Sequence, residues 1–102
     1  MKYAIGWLRL KPGKREEFMV RVRSFVALSR TEQGVLEFEV TQSDTDEDVT
    51  IWVEGYESEE AHQRHLDTPE HQALLADIAK LAIGGRFEHI HPQTTRTSSF
   101  TF

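Results

Sequence analysis

VTIWVEGYE, Val49 to Glu57, carries large apolar side chains in both phases of its alternation. Val49, Ile51 and Val53 fall on one side of an extended chain, and Trp52 and Tyr56 fall on the other. YAIGWLRL, Tyr3 to Leu10, behaves alike, with Tyr3, Ile5 and Trp7 opposite Ala4, Leu8 and Leu10. Both read as strands with two apolar faces, and that property sets the expected architecture.

Working outward, Pro12 and Gly13 stop the first strand. Lys14 to Glu32 follows as a helix: Phe18, Val22, Phe25, Val26 and Ser29 line one stripe, and Gly34 stands just past the end as its expected left-handed cap. VLEFEVTQ, Val35 to Gln42, alternates, with Leu36, Phe38 and Val40 inward and Glu37, Glu39 and Thr41 outward. The polar run Ser43 to Asp48 joins it to the opening stretch as a hairpin. Ser58 caps a short helix reaching about Leu66, and Thr68-Pro69 starts a longer one to Ala82. Gly84-Gly85 is expected to end that helix, and Arg86 to His91 reads as a last strand ended by Pro92. The order βαββαβ describes one α+β domain over residues 1–92: an antiparallel sheet with its helices on one face. Residues 93–102 form a tail, expected to dock on a partner subunit from Thr95 onward through Phe100 and Phe102.

Two helices cover only one face of a four-stranded sheet. The other face then shows contiguous apolar side chains to water, which monomers rarely tolerate, so a second copy is expected to cover it. The alternative is a wet face of the kind that Glu37 and Glu39 give the second strand. The 102 residues suffice for one modest core. A net charge of -5 argues against a nucleic-acid backbone as partner. With no cysteine there are no disulfides, thiolate metal sites or cysteine nucleophiles. Only six uncharged residues separate Lys2 from Arg9, too few for a secretory segment, and charges interrupt every other apolar run. The cytoplasm is the expected location, with no membrane partner.

KPGKREEF, EQGVLEFEV and WVEGYESEEAHQRHLDTPEH together resemble the antibiotic biosynthesis monooxygenase family over about residues 2 to 91. YESEEAHQRHLDTP is the most specific part. The resemblance implies a ferredoxin-like fold, a homodimer built as a dimeric α/β barrel with its sheets face to face, and a pocket between sheet and helices. It also implies oxygenation of phenolic polyketides or hydroquinones by O2 without metal or flavin, although some members cleave haem and others process small signalling molecules. The haem-cleaving branch carries an Asn, a Trp and a His where this chain has about Gly6, His65 and Leu75. Many quinol-oxidising relatives read TPH where this chain reads TPEH, with Glu70 after the proline and His71 one place later.

Three of the five histidines, His62, His65 and His71, lie within ten positions. On a helical wheel His62 and His65 fall between Ala61 and Leu66, away from Glu60, Arg64 and Asp67, and His71 aligns with Leu74 and Ile78. Imidazole ordinarily titrates near neutral pH, which suits a base that ionises a phenol in a dry pocket. His65 matches the most specific motif position and is the expected catalytic base. His62, His71, Trp52, Tyr56 and Trp7 are candidate substrate contacts. The alternative for His65 is a core-edge histidine bonded to a backbone carbonyl. His62 with His65, and His89 with His91, have two-ligand spacings, but no carboxylate completes a metal motif, so no metal or other cofactor is expected. Asp44, Asp46 and Asp48 imitate the start of a calcium loop, yet Val49 and Gly55 occupy positions that need Gly and Glu. The expected activity is cofactor-independent oxygenation of a small aromatic molecule. The alternatives are a binding or isomerising protein of the same fold, or a dimeric interaction module without chemistry.

Overall fold

A computed structural model describes residues 1–102. The chain runs β1 (Lys2–Leu10), α1 (Arg15–Ser29), β2 (Val35–Gln42), β3 (Val49–Tyr56), α2 (Glu59–Leu66), α3 (Pro69–Leu81) and β4 (Ala82–Ile90). The strands form one antiparallel sheet in the order β2-β3-β1-β4. This is the ferredoxin-like α+β arrangement, with the second helical segment divided at Asp67–Thr68. Both starts are capped as their sequences require. Ser58 Oγ accepts from the Ala61 N–H, and Thr68 Oγ1 accepts from the His71 N–H ahead of Pro69.

Ala4, Leu8 and Leu10 on β1 and Thr50, Trp52, Glu54 and Tyr56 on β3 point toward the helices and are buried. They meet Phe18, Val22 and Phe25 of α1 and Leu74 and Leu81 of α3. The Trp52 indole N–H donates to Thr50 Oγ1, which keeps a buried donor satisfied and fixes the ring. On the reverse face Tyr3, Ile5, Trp7, Val49 and Ile51 are half-buried and Val53 is exposed. No helix covers them.

Three local expectations change. Gly84 and Gly85 do not end α3; they lie inside β4, opposite Arg9 and Leu8. Ladder pairing with β1 starts at Ala82 and overrides the local breaker signal. Gly85 is required there, because a Cβ would sit 2.4 Å from the Trp7 carbonyl oxygen. Leu36 is exposed rather than inward, since a register shift between Val35 and Glu37 sets Val35 opposite Tyr56. Helix α1 ends at Ser29, short of Gly34. Gly34 instead adopts φ +86° in the turn before β2, where an added Cβ would lie 2.6 Å from the Ala61 side chain. That close approach presses the α1–β2 turn against α2. Residues 91–102 contain no helix or strand, and Phe100 and Phe102 are exposed with their rings against each other.

Candidate functional site

The pressed turn carries Glu32, and α2 carries His65. Their meeting is a hydrogen bond of 2.8 Å between His65 Nδ1 and Glu32 Oε1. A carboxylate only accepts, so Nδ1 donates, and in the neutral form of the ring Nε2 is the nitrogen left to accept. The imidazole is 2% exposed. Phe25 and Phe38 pack on it with centroids at 5.4 and 5.2 Å, and His71 approaches edge-on at 5.3 Å. The partner is therefore a carboxylate 33 positions away, not a backbone carbonyl.

His65 lines a cavity of about 80 Å³ between the sheet and the helices. Trp52, Phe38 and Leu8 rise from the sheet, Phe25 comes from α1, and His71, Leu74, Leu75 and Ile78 come from α3. Phe87 closes one side from β4, with its ring over Gly6, where an added Cβ would fall 2.3 Å from it. Leu75 and Phe87 are the substantially exposed members of the wall and form its solvent side.

Glu54 also lines the cavity, and residue-type reasoning passed over it. It stands in phase with Trp52 and Tyr56 and is 6% exposed. The Tyr56 O–H donates to Glu54 Oε1. Burial holds the Glu54 carboxyl above the ordinary carboxylate range, against the opposing effects of the Tyr56 hydrogen bond and the His65 and Lys2 charges. Burial, and then Glu54 itself, push the Tyr56 phenol well up, so Tyr56 remains a donor.

The candidate residues are divided by the fold. His65, His71 and Trp52 share the cavity wall. Tyr56 is fully buried behind Glu54 and does not line it. His62 lies beyond Tyr56, stacked on that ring at 4.6 Å and facing His89 at 5.8 Å. Trp7 is on the reverse face of the sheet, beneath the Arg86 guanidinium at 4.0 Å, because its position on β1 is odd relative to Ala4 and Leu8. Grouping Trp7 with His65 does not hold within one chain. His62 Nδ1 and His71 Nδ1 are buried without a hydrogen-bond partner. Burial, aided by the Lys2 charge, lowers His62 to about 4, and burial followed by the nearby His65 lowers His71. Both rings are neutral near pH 7. His91 bonds Glu59 rather than joining His89, and no three His, Asp or Glu side chains converge as a metal-binding set.

An imidazole and a buried carboxyl therefore share one largely apolar chamber. No helix is long and apolar enough to cross a membrane. The fold recurs in solved structures. One is titled "Putative antibiotic biosynthesis monooxygenase from Nitrosomonas europaea", with a TM-score of 0.86, 20% identity, and 92% of this chain and 100% of that one covered. A Pseudomonas aeruginosa protein aligns with a TM-score of 0.84 at 22% identity, over 91% of this chain and 94% of that one. In sequence, a Bacillus subtilis (strain 168) protein named "Putative monooxygenase YcnE" is 30% identical over 71 residues, 70% of this chain and 75% of its own length. Residues 1–77 match the family described as antibiotic biosynthesis monooxygenase. On that match, and on the helix-covered sheet that encloses His65, the chain belongs to the antibiotic biosynthesis monooxygenase family.

Proposed function

We propose that this protein oxygenates a small phenolic or hydroquinone-like ring with dioxygen, without metal or flavin, and that His65 is the base that ionises the substrate. The observation that carries the reading is the His65 imidazole in an enclosed apolar cavity, with Nδ1 tethered to Glu32. The tether fixes the ring and leaves Nε2 to accept a phenolic proton. Apolar walls favour the reading as well, because a phenolate stripped of water gives up an electron more readily. The family and the name of the Bacillus relative point the same way.

An aromatic ring does not fit the cavity as it stands. At about 80 Å³ it has roughly half the volume that holds benzene in an engineered protein core. Leu75 and Phe87 are the most exposed of its walls, so a ring would enter by displacing them. The uncovered sheet face supports pairing of two copies, each turning Tyr3, Ile5, Trp7, Val49 and Ile51 toward the other.

Oxygen uptake across a panel of phenols and hydroquinones tests the proposal. The wild type is expected to consume oxygen with at least one ring, and His65→Ala to lower that rate by about 100-fold or more while keeping the helical circular dichroism. Equal rates would end the base assignment. Binding of a ring with no uptake would favour the non-oxygenating alternative.

A further inference from the structure

We propose that Glu54 is the acid of the cavity, delivering a proton from Oε2 to the reduced dioxygen while His65 holds the proton taken from the substrate, and that Tyr56 positions it. The inference rests on the oxygenase reading above. Its geometry is independent of His65: a carboxyl 6% exposed, rooted on the central strand β3, reaching the same cavity from the sheet side as His65 reaches from the helix side. Tyr56 donates to Oε1, and a carboxylic acid carries its proton on the oxygen that is not accepting. Oε2 makes no hydrogen bond within the chain, so its proton is directed away from Tyr56. Glu54 is the cavity's one carboxyl, and a buried carboxyl beside a tethered imidazole gives two groups suited to opposite proton tasks.

The chemistry balances for a phenol with a hydrogen on the carbon opposite its hydroxyl. Nε2 of His65 takes the O–H proton. The phenolate passes one electron to dioxygen, and the resulting pair joins, forming a C–O bond at the opposite carbon. Glu54 gives its proton to the outer oxygen, which makes a hydroperoxide. The Glu54 carboxylate then removes the C–H proton; that electron pair forms the second carbonyl as the O–O bond breaks. The departing hydroxide takes the proton from His65 and leaves as water. Phenol and dioxygen have become quinone and water, and both residues regain their starting forms.

The groups facing Glu54 are Tyr56 on its own strand, Lys2 on β1, His65 on α2 and His71 on α3. Glu54→Gln keeps the size and still accepts from Tyr56, but it delivers no proton. In the full-length protein, with a ring the wild type oxidises, E54Q is expected to lower kcat by about 100-fold, leave KM near its wild-type value, and abolish the fall of kcat at high pH. Tyr56→Phe removes a bond that favours the ionised carboxyl, so it is expected to move that fall to higher pH. Unchanged kcat and an unchanged high-pH limb in E54Q would overturn the acid role while the His65 reading stood. Absence of uptake by the wild type with every ring would overturn both. In the free protein, an infrared titration is expected to show a carboxylic C=O band persisting above the ordinary glutamate range and missing from E54Q. A band absent from wild type in that range would overturn the proposal without reference to any substrate.

Discussion

His62 stays neutral in the folded chain because its ring is packed on Tyr56 and desolvated beside the positive Lys2. Unfolding lets it take up a proton at the ordinary histidine value of 6.5, whereas the folded chain resists protonation down to about 4. Between those values the unfolded state binds more protons, so acid favours unfolding and stability rises with pH. The midpoint of urea unfolding is therefore expected to fall as pH drops from 6.5 to 4, and to fall less in His62→Phe, which keeps an aromatic on Tyr56 without a titrating nitrogen. Parallel curves for the two proteins would contradict the assignment. At this scale the sequence was partly legible. The inward aim of His62 and His65 follows from the helical wheel, and the inward aim of Glu54 was available from its phase with Trp52 and Tyr56. The Glu32–His65 bond was not, because it spans 33 positions and depends on how a turn and a helix pack.

Elements were legible where local chemistry set their ends. Thr68-Pro69 marked the start of α3, and Ser58 that of α2, as their cap bonds require. The reading failed where long-range pairing overruled a local signal, at Gly84 and Gly85 inside β4 and at Leu36 beside the β2 register shift. The two glycines differ in what surrounds them. A side chain on Gly85 meets the backbone carbonyl of Trp7 at 2.4 Å, while one on Gly84 meets nothing within 4 Å. Gly85→Ala is expected to cost about 1–3 kcal/mol in chemical denaturation, since a backbone clash cannot be relieved by a rotamer change. Gly84→Ala is expected to stay within about 0.5 kcal/mol. Similar losses at both would mean that backbone flexibility, not the close strand contact, decides the pair.

For the whole molecule, the two-phase apolar pattern of β1 and β3 marked a sheet with two apolar faces, and helices cover one of them. The proposed pairing through the other face predicts that Ile51→Glu folds, because the residue is only half-buried in the single chain, yet runs at the mass of one subunit in light scattering. Retention of a doubled mass would move the interface elsewhere. The His65–Glu32 bond has a broader consequence. It joins the α1–β2 turn to α2, so the group proposed to start the chemistry also fastens two separate segments of the chain. A lineage that discards either partner loses that tie and keeps only the close approach of Gly34 to Ala61. Leu75 and Phe87 make no such hydrogen-bonded tie and are the more exposed walls of the cavity, so under the proposed reaction a change of substrate has its easiest route through those two side chains.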